Sequence, residues 1–200
     1  MKTLFLLLTL IIVSYDGYSK QTSLSTSMVE PDSVFTFSID GFTDYIVVHC
    51  DTLSQRDMFW KTIDWINKTY TNPNEVLLSS VEGDYIIFRG VGERMVSVMG
   101  LGSKIYFDVR YRIMVSFKEG RYKFDVETLE SYSTGSTSVP SGWYDMKINN
   151  VGETYYKKNG EIRDVWKSYE TEIPNYFNRL NSSLKNYILQ NEKTSKSNDW

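Results

Sequence analysis

The chain has 200 residues, with 22 Lys and Arg against 25 Asp and Glu, one His and one Cys. This is enough for one domain with a full core, and a net charge of −3 gives no electrostatic basis for nucleic-acid binding, which favours strongly basic surfaces. The lone Cys50 excludes an internal disulfide, and with His49 it falls well short of the roughly four ligands of a structural zinc site.

Met1-Lys2-Thr3 is a short basic start, Leu4 to Val13 is an apolar run, and Ser14 to Ser19 is small and polar. Gly17 and Ser19 stand three and one residues before a cut ahead of Lys20, the layout of a secretory signal peptide over residues 1–19. The run is about half the roughly 20 apolar residues of a membrane span, so export with cleavage is expected, to the periplasm or the exterior. No cysteine near the cut offers a lipid attachment point, and no later segment could span a bilayer. Residues 20–32 are Ser/Thr-rich and read as a flexible leader, followed by a single domain over 33–190.

Val34 to Ile39 reads as a short strand, Asp40-Gly41 as a turn or bulge, and Tyr45 to Cys50 as a second strand segment or the continuation of the first. Thr52 with Gln55 forms a capping box for a first helix, along which Phe59, Ile63, Ile66 and Tyr70 recur at helical spacing. Asn72-Pro73 ends it. Strands follow at Val76–Val81 and Tyr85–Arg89 around Glu82-Gly83-Asp84, while Arg94–Met99 is ambiguous.

The clearest pattern is Ile105 to Val126. Odd positions from Ile105 to Phe117 are apolar and the even positions between them are mostly polar, which specifies a long strand with one buried face. Glu119-Gly120 turns the chain, and a two-residue loop sets Phe117 opposite Tyr122, Val115 opposite Phe124 and Ile113 opposite Val126. Extending that register sets Arg112 opposite Glu127 and Met114 opposite Asp125. Ser133 to Gly142 is a low-complexity loop, and Trp143–Ile148 with Thr154–Lys157 is expected to form a small extra hairpin. A long second helix then carries Ile162, Val165, Trp166, Tyr169, Ile173, Phe177, Leu184 and Ile188, with Pro174 expected to kink or restart it. Residues 191–200 read as a frayed tail.

The resulting order is β-α-β-β-β-β-α, an α+β domain in which an antiparallel sheet carries two helices on one face and leaves the other face wet. This order, Trp-Ile-Asn-Lys-Thr-Tyr at 65–70 and the hairpin Phe-Lys-Glu-Gly-Arg-Tyr-Lys-Phe at 117–124 resemble a family of exported bacterial domains of unknown function with a TATA-binding-protein-like (TBP-like) fold. The resemblance covers residues 33–132 by motif and extends to 190 by layout. Lys-Glu-Gly-Arg-Tyr stands here for the family's commoner Lys-Asp-Gly-Arg-Tyr. It implies the fold and export and no activity, and a fold name does not confer DNA binding.

Candidate chemistry is sparse. His49 and Cys50 are neighbours on a strand and point to opposite faces, so they cannot form a nucleophile pair. The glycines at 90, 92, 100 and 102 read as turns between strands, without the Lys-Ser/Thr ending of a phosphate loop. No Gly-x-Ser-x-Gly elbow is present. Asp40, Asp44 and Asp51 cluster near the first strand and helix; paired acids can hydrolyse glycosides, but turn formation and helix-end charge account for them more simply.

The wet sheet face offers more. Tyr106, Arg110, Arg112, Met114 and Lys118 lie on it, joined across the turn by Arg121 and Lys123, a set able to bind an anionic or peptide-like partner. The plainer account is a solvated face whose charges discourage edge association. Trp143 and Tyr144 are candidate aromatic contacts for a sugar or a protein, with packing over the end of the second helix as the simpler account. The expected function is a non-enzymatic binding or structural module of the envelope, without cofactor or metal, whose partner is an envelope protein, a glycan or an anionic ligand. A carboxylate-dependent envelope hydrolase is the alternative.

Overall fold

The computed structural model describes residues 33–100 and 102–190; the expected signal peptide, flexible leader and frayed tail lie outside the described residues. β1 (Phe37–Ser38) and β2 (Gly41–Phe42) make a tiny hairpin around Asp40, and β3 (Tyr45–His49) leads into α1 (Gln55–Thr69). A one-turn α2 (Pro73–Val76) precedes four strands, β4 (Leu77–Val81), β5 (Tyr85–Gly100), β6 (Ser103–Lys118) and β7 (Arg121–Ser133). β8 (Gly142–Asp145), the short α3 (Val151–Tyr155) and α4 (Tyr169–Leu189) complete the chain. The sheet is antiparallel in the order β3-β7-β6-β5-β4. α1 and α4 cover one face, as the two apolar stripes require.

The hairpin register is the expected one near the turn: Phe117 pairs with Tyr122, Val115 with Phe124, Ile113 with Val126 and Met114 with Asp125. Beyond Val126 it shifts by one residue, so Arg112 pairs with Thr128 rather than Glu127. The cause is visible in the chain, where the apolar phase of β7 passes from Val126 to Leu129, three residues on. A bulge absorbs the extra residue and keeps both side chains in the core. Ile105, near the far end of β6, is exposed.

Other expectations change in detail. Ser54 rather than Thr52 caps α1: its hydroxyl accepts the Asp57 N–H at 3.1 Å, and the Glu119 carboxylate accepts the Gln55 N–H at 3.2 Å. Arg94–Met99 belongs to β5, a single 16-residue strand bulged between Gly92 and Val96, with Arg94 at φ 49° and its N–H donated to Asp108. Gly90 and Gly92 therefore lie within a strand, not in turns. The extra hairpin at 143–157 takes another form. β3 occupies the edge of β7 only at Arg121–Asp125, so β8 docks on the free remainder at Glu130–Ser133, while Val151–Tyr155 is helical. The second helix starts at Tyr169, after Ile162 and Trp166. A helix from 162 would carry Pro174 near its middle, at about 3 kcal/mol or more; starting at 169 leaves about one turn before it.

The core is aromatic and includes a buried polar knot. Tyr70 and Tyr111 share a hydroxyl–hydroxyl hydrogen bond of 2.9 Å, and Tyr176 donates to Tyr111 at 3.3 Å. Burial pushes the phenols of Tyr70 and Tyr111 well above their ordinary range. Tyr111 lies flat across Gly90, directly opposite it in the sheet, and a Cβ on Gly90 would stand 2.3 Å from the Tyr111 Oη. Substituting Gly90→Ala should therefore destabilise the protein by about 1–3 kcal/mol, read as a lower midpoint in thermal denaturation. These phenols are neutral when folded but ionise near pH 10 in the unfolded chain. Stability should thus be insensitive to them below about pH 10 and fall above it, which urea titrations from pH 8 to 11 will show.

Candidate functional site

The register carries one set of side chains across the open face in rows. Lys118, Arg121 and His49 form the row beside the hairpin turn, Ser116, Lys123 and Val47 the next, and Met114, Asp125 and Tyr45 the third. At this end the face is hollowed into a depression of about 450 Å³ lined by Tyr45, Val47, Ser116, Lys118, Arg121 and Lys123. Lys123 donates to Asp125 Oδ2 at 2.8 Å and lies 5.0 Å from the centre of the Tyr45 ring. Lys118 and Arg121 stand directly opposite each other, both exposed, and neither has an ion-pair partner among the described residues. Glu119, between them in the chain, has its carboxylate on the first N–H of α1. Three cations thus meet two carboxylates, Asp125 on Lys123 and Glu119 on the start of α1, and Lys118 and Arg121 are left without an ion-pair partner of their own among the described residues.

The middle of the face is built differently. Arg110 Nε donates to Glu130 Oε2 at 2.8 Å, and its guanidinium lies 4.8 Å from the Trp143 ring centre. Arg112 Nε is 2.7 Å from Glu127 Oε2, a charge contact without hydrogen-bond alignment. Pairing with Glu127 survives the shifted register because the bulged residue keeps its carboxylate beside Arg112. At the far end the Tyr106 ring is covered by Arg94, 4.1 Å from its centre.

The residues singled out from the sequence therefore fall into three places. Lys118, Arg121 and Lys123 converge at the turn end, with half-buried Met114 two rows away. Arg110 and Arg112 lie mid-face and hold carboxylates, and Tyr106 is distant from both groups. Trp143 sits on the open face against Arg110 and Tyr132, not over the end of the second helix, because β8 joins the main sheet. Tyr144 is exposed and its hydroxyl donates to the Pro140 carbonyl. Tyr45 and Arg89 were not singled out. The alternation of Tyr85, Ile87, Arg89 and Val91 along β5 carries the signal for Arg89, whereas Tyr45 is placed by the β3–β7 pairing, which spans distant parts of the chain.

His49 is half-buried, 3.9 Å from Asp51 through Nδ1, while Cys50 is buried, so the two do not converge. Asp40 lies in the β1–β2 turn, Asp44 gives its carbonyl to the Val126 N–H, and Asp51 flanks Gly120. Among the described residues no group of three or more His, Cys, Asp or Glu is placed to hold a metal ion. No helix among them is long and apolar enough to cross a membrane.

An antiparallel sheet with helices on one face and a long open face on the other is the layout of the TBP-like fold. Residues 45–132 match the family described as "Domain of unknown function (DUF4468) with TBP-like fold", in keeping with the resemblance carried by the hairpin. A solved DUF4468 family protein from Bacteroides ovatus has a TM-score of 0.59 at 11% identity, covering 76% of this chain and 89% of its own. A TBP-like protein from Parabacteroides distasonis has a TM-score of 0.49 at 13% identity, covering 74% of this chain and 92% of its own. At 11% identity the likeness to the Bacteroides ovatus protein shows the fold alone. No curated protein matches the chain in sequence.

Like charges directly opposed across a hairpin cost stability. Lys118→Glu should therefore raise stability by a few tenths to about 1 kcal/mol, lifting the thermal midpoint by about 1–4 °C at low salt, and the gain should shrink as salt screens it.

Proposed function

We propose that the protein is a non-enzymatic, exported binding module of the bacterial envelope that takes an anionic partner at the turn end of its open sheet face. The observation that carries this reading is the pair Lys118 and Arg121. Two cations are held opposite each other at the mouth of a depression, beside Lys123, while the carboxylate of Glu119, between them in the chain, is engaged at the start of α1. A site that departs from the local rules of sheet pairing is where function is expected. Tyr45 and Val47 supply a half-exposed apolar wall, and such a mixture of apolar surface with few charged groups suits ligand binding. Lys118 and Arg121, side by side and without ion-pair partners among the described residues, can both donate to one sulfate- or phosphate-type group. Export is supported by the pattern of Met1 to Ser19.

Titration of the purified protein with short dextran sulfate chains tests the binding reading. Binding should weaken steeply with salt, and the Lys118→Ser/Arg121→Ser variant should lose at least about tenfold in affinity while its melting temperature does not fall. Equal affinity in this variant and in the parent would defeat the reading.

A further inference from the structure

A second group of cations lies in the middle of the same face. Arg89 on β5 stands directly opposite Arg112 on β6, and Arg110 is the neighbouring outward residue of β6, opposite Val91. Opposed like charges disfavour sheet pairing, and neither the core nor the register asks for them here. The three arginines line a cleft of about 330 Å³ together with Thr128. Arg110 and Arg112 each meet a carboxylate through Nε, Glu130 at 2.8 Å and Glu127 at 2.7 Å. A guanidinium held at Nε keeps its two terminal amino groups for another acceptor, in the fork geometry that matches a carboxylate.

Trp143 against Arg110 helps to fix the plane of that fork. Arg89 is exposed and its side chain has no hydrogen-bond, ionic or ring partner among the described residues. Three guanidiniums thus face two engaged carboxylates, and one positive charge is left over; Asp145, on the rim, is 3.0 Å from Lys147. Beside Arg110, Trp143 and Tyr132 meet edge to face with ring centres 5.1 Å apart. They form an apolar corner next to the forks.

We propose that Arg89, Arg110 and Arg112 form a site for the carboxylate of an acidic sugar, whose ring packs against the corner made by Trp143 and Tyr132. One surplus charge suits one carboxylate, fork geometry suits its plane, and the aromatic surface suits the apolar side of a sugar ring. The site extends anion binding to a second position and stands without the first, since the two share no residue.

The test is calorimetric titration of the purified protein with trigalacturonate and with its methyl ester, in which the carboxylates are masked. The acid should bind, and the ester at least about tenfold more weakly. Arg89→Gln should weaken the acid by a similar factor without lowering the melting temperature, since it removes a like-charge contact. Arg112→Lys, which keeps the charge and loses the fork, should weaken it too. The Lys118→Ser/Arg121→Ser variant should bind the acid undiminished. The proposal is overturned if the acid does not bind, or if acid and ester bind alike. Loss of binding in the Lys118/Arg121 variant with retention in Arg89→Gln would also overturn it, placing the carboxylate at the turn end and leaving the first reading standing.

Discussion

The pairing of β6 with β7 decides which side of the sheet is dry. Phe117, Val115 and Ile113 meet Tyr122, Phe124 and Val126 beneath the helices, so the alternate positions Lys118, Ser116 and Met114 have to meet Arg121, Lys123 and Asp125 in water. A slip of one residue would exchange the two sets and bury the charges, so hydrophobic burial sets the register and places the cations as a consequence. The bulge at Glu127 belongs to the same constraint. It lets Leu129 return to the core after Val126, and it leaves Glu127 beside Arg112 although the two are no longer directly paired.

The start of α1 ties the helical layer to this hairpin. Its first N–H is received by Glu119 in the β6–β7 turn, and the Gln55 side chain donates to the Gly83 carbonyl in the β4–β5 turn. Two turns on different hairpins are thereby fastened to one helix end, where the unpaired N–H groups and the positive end of the helix dipole favour a carboxylate. Lys118 and Arg121 stay without an ion-pair partner among the described residues because Glu119 is used in this way. Structure and binding chemistry compete for one acid, and the helix end has it.

The α+β class, the order of elements and the hairpin register could be read from the chain because each rests on a local pattern, an alternation or a 3.6-residue stripe. The even-to-odd phase change between Val126 and Leu129 was equally local, and it marks the bulge that simple extension of the register overlooks. What could not be read depends on how separate elements pack, which no local pattern states. The docking of β8 on β7 follows from β3 being short, the covering of Tyr106 by Arg94 follows from a bulge, and the seating of Trp143 on Arg110 follows from β8. For the site, the cations of β6 and β7 were legible because they share one hairpin. Tyr45, on a strand some eighty residues away from its partner, was not, and the engagement of Arg110 and Arg112 by Glu130 and Glu127 emerges only from side-chain geometry.

The shared edge of β7 also bears on the order in which the molecule assembles. β4 to β7 form a meander of neighbours joined by tight turns, whose contacts close short loops, whereas β3 and β8 come to β7 from opposite ends of that meander. Contacts distant in sequence cost more chain entropy to close and form later as a rule. The cations at the hairpin turn are thus in place as soon as the meander exists. Tyr45 and Val47 join them only when β3 docks, and Trp143 reaches Arg110 only when β8 does. The turn-end site therefore combines an early-forming charged half with an apolar half that forms late, and recognition there would report that β3 has been laid down.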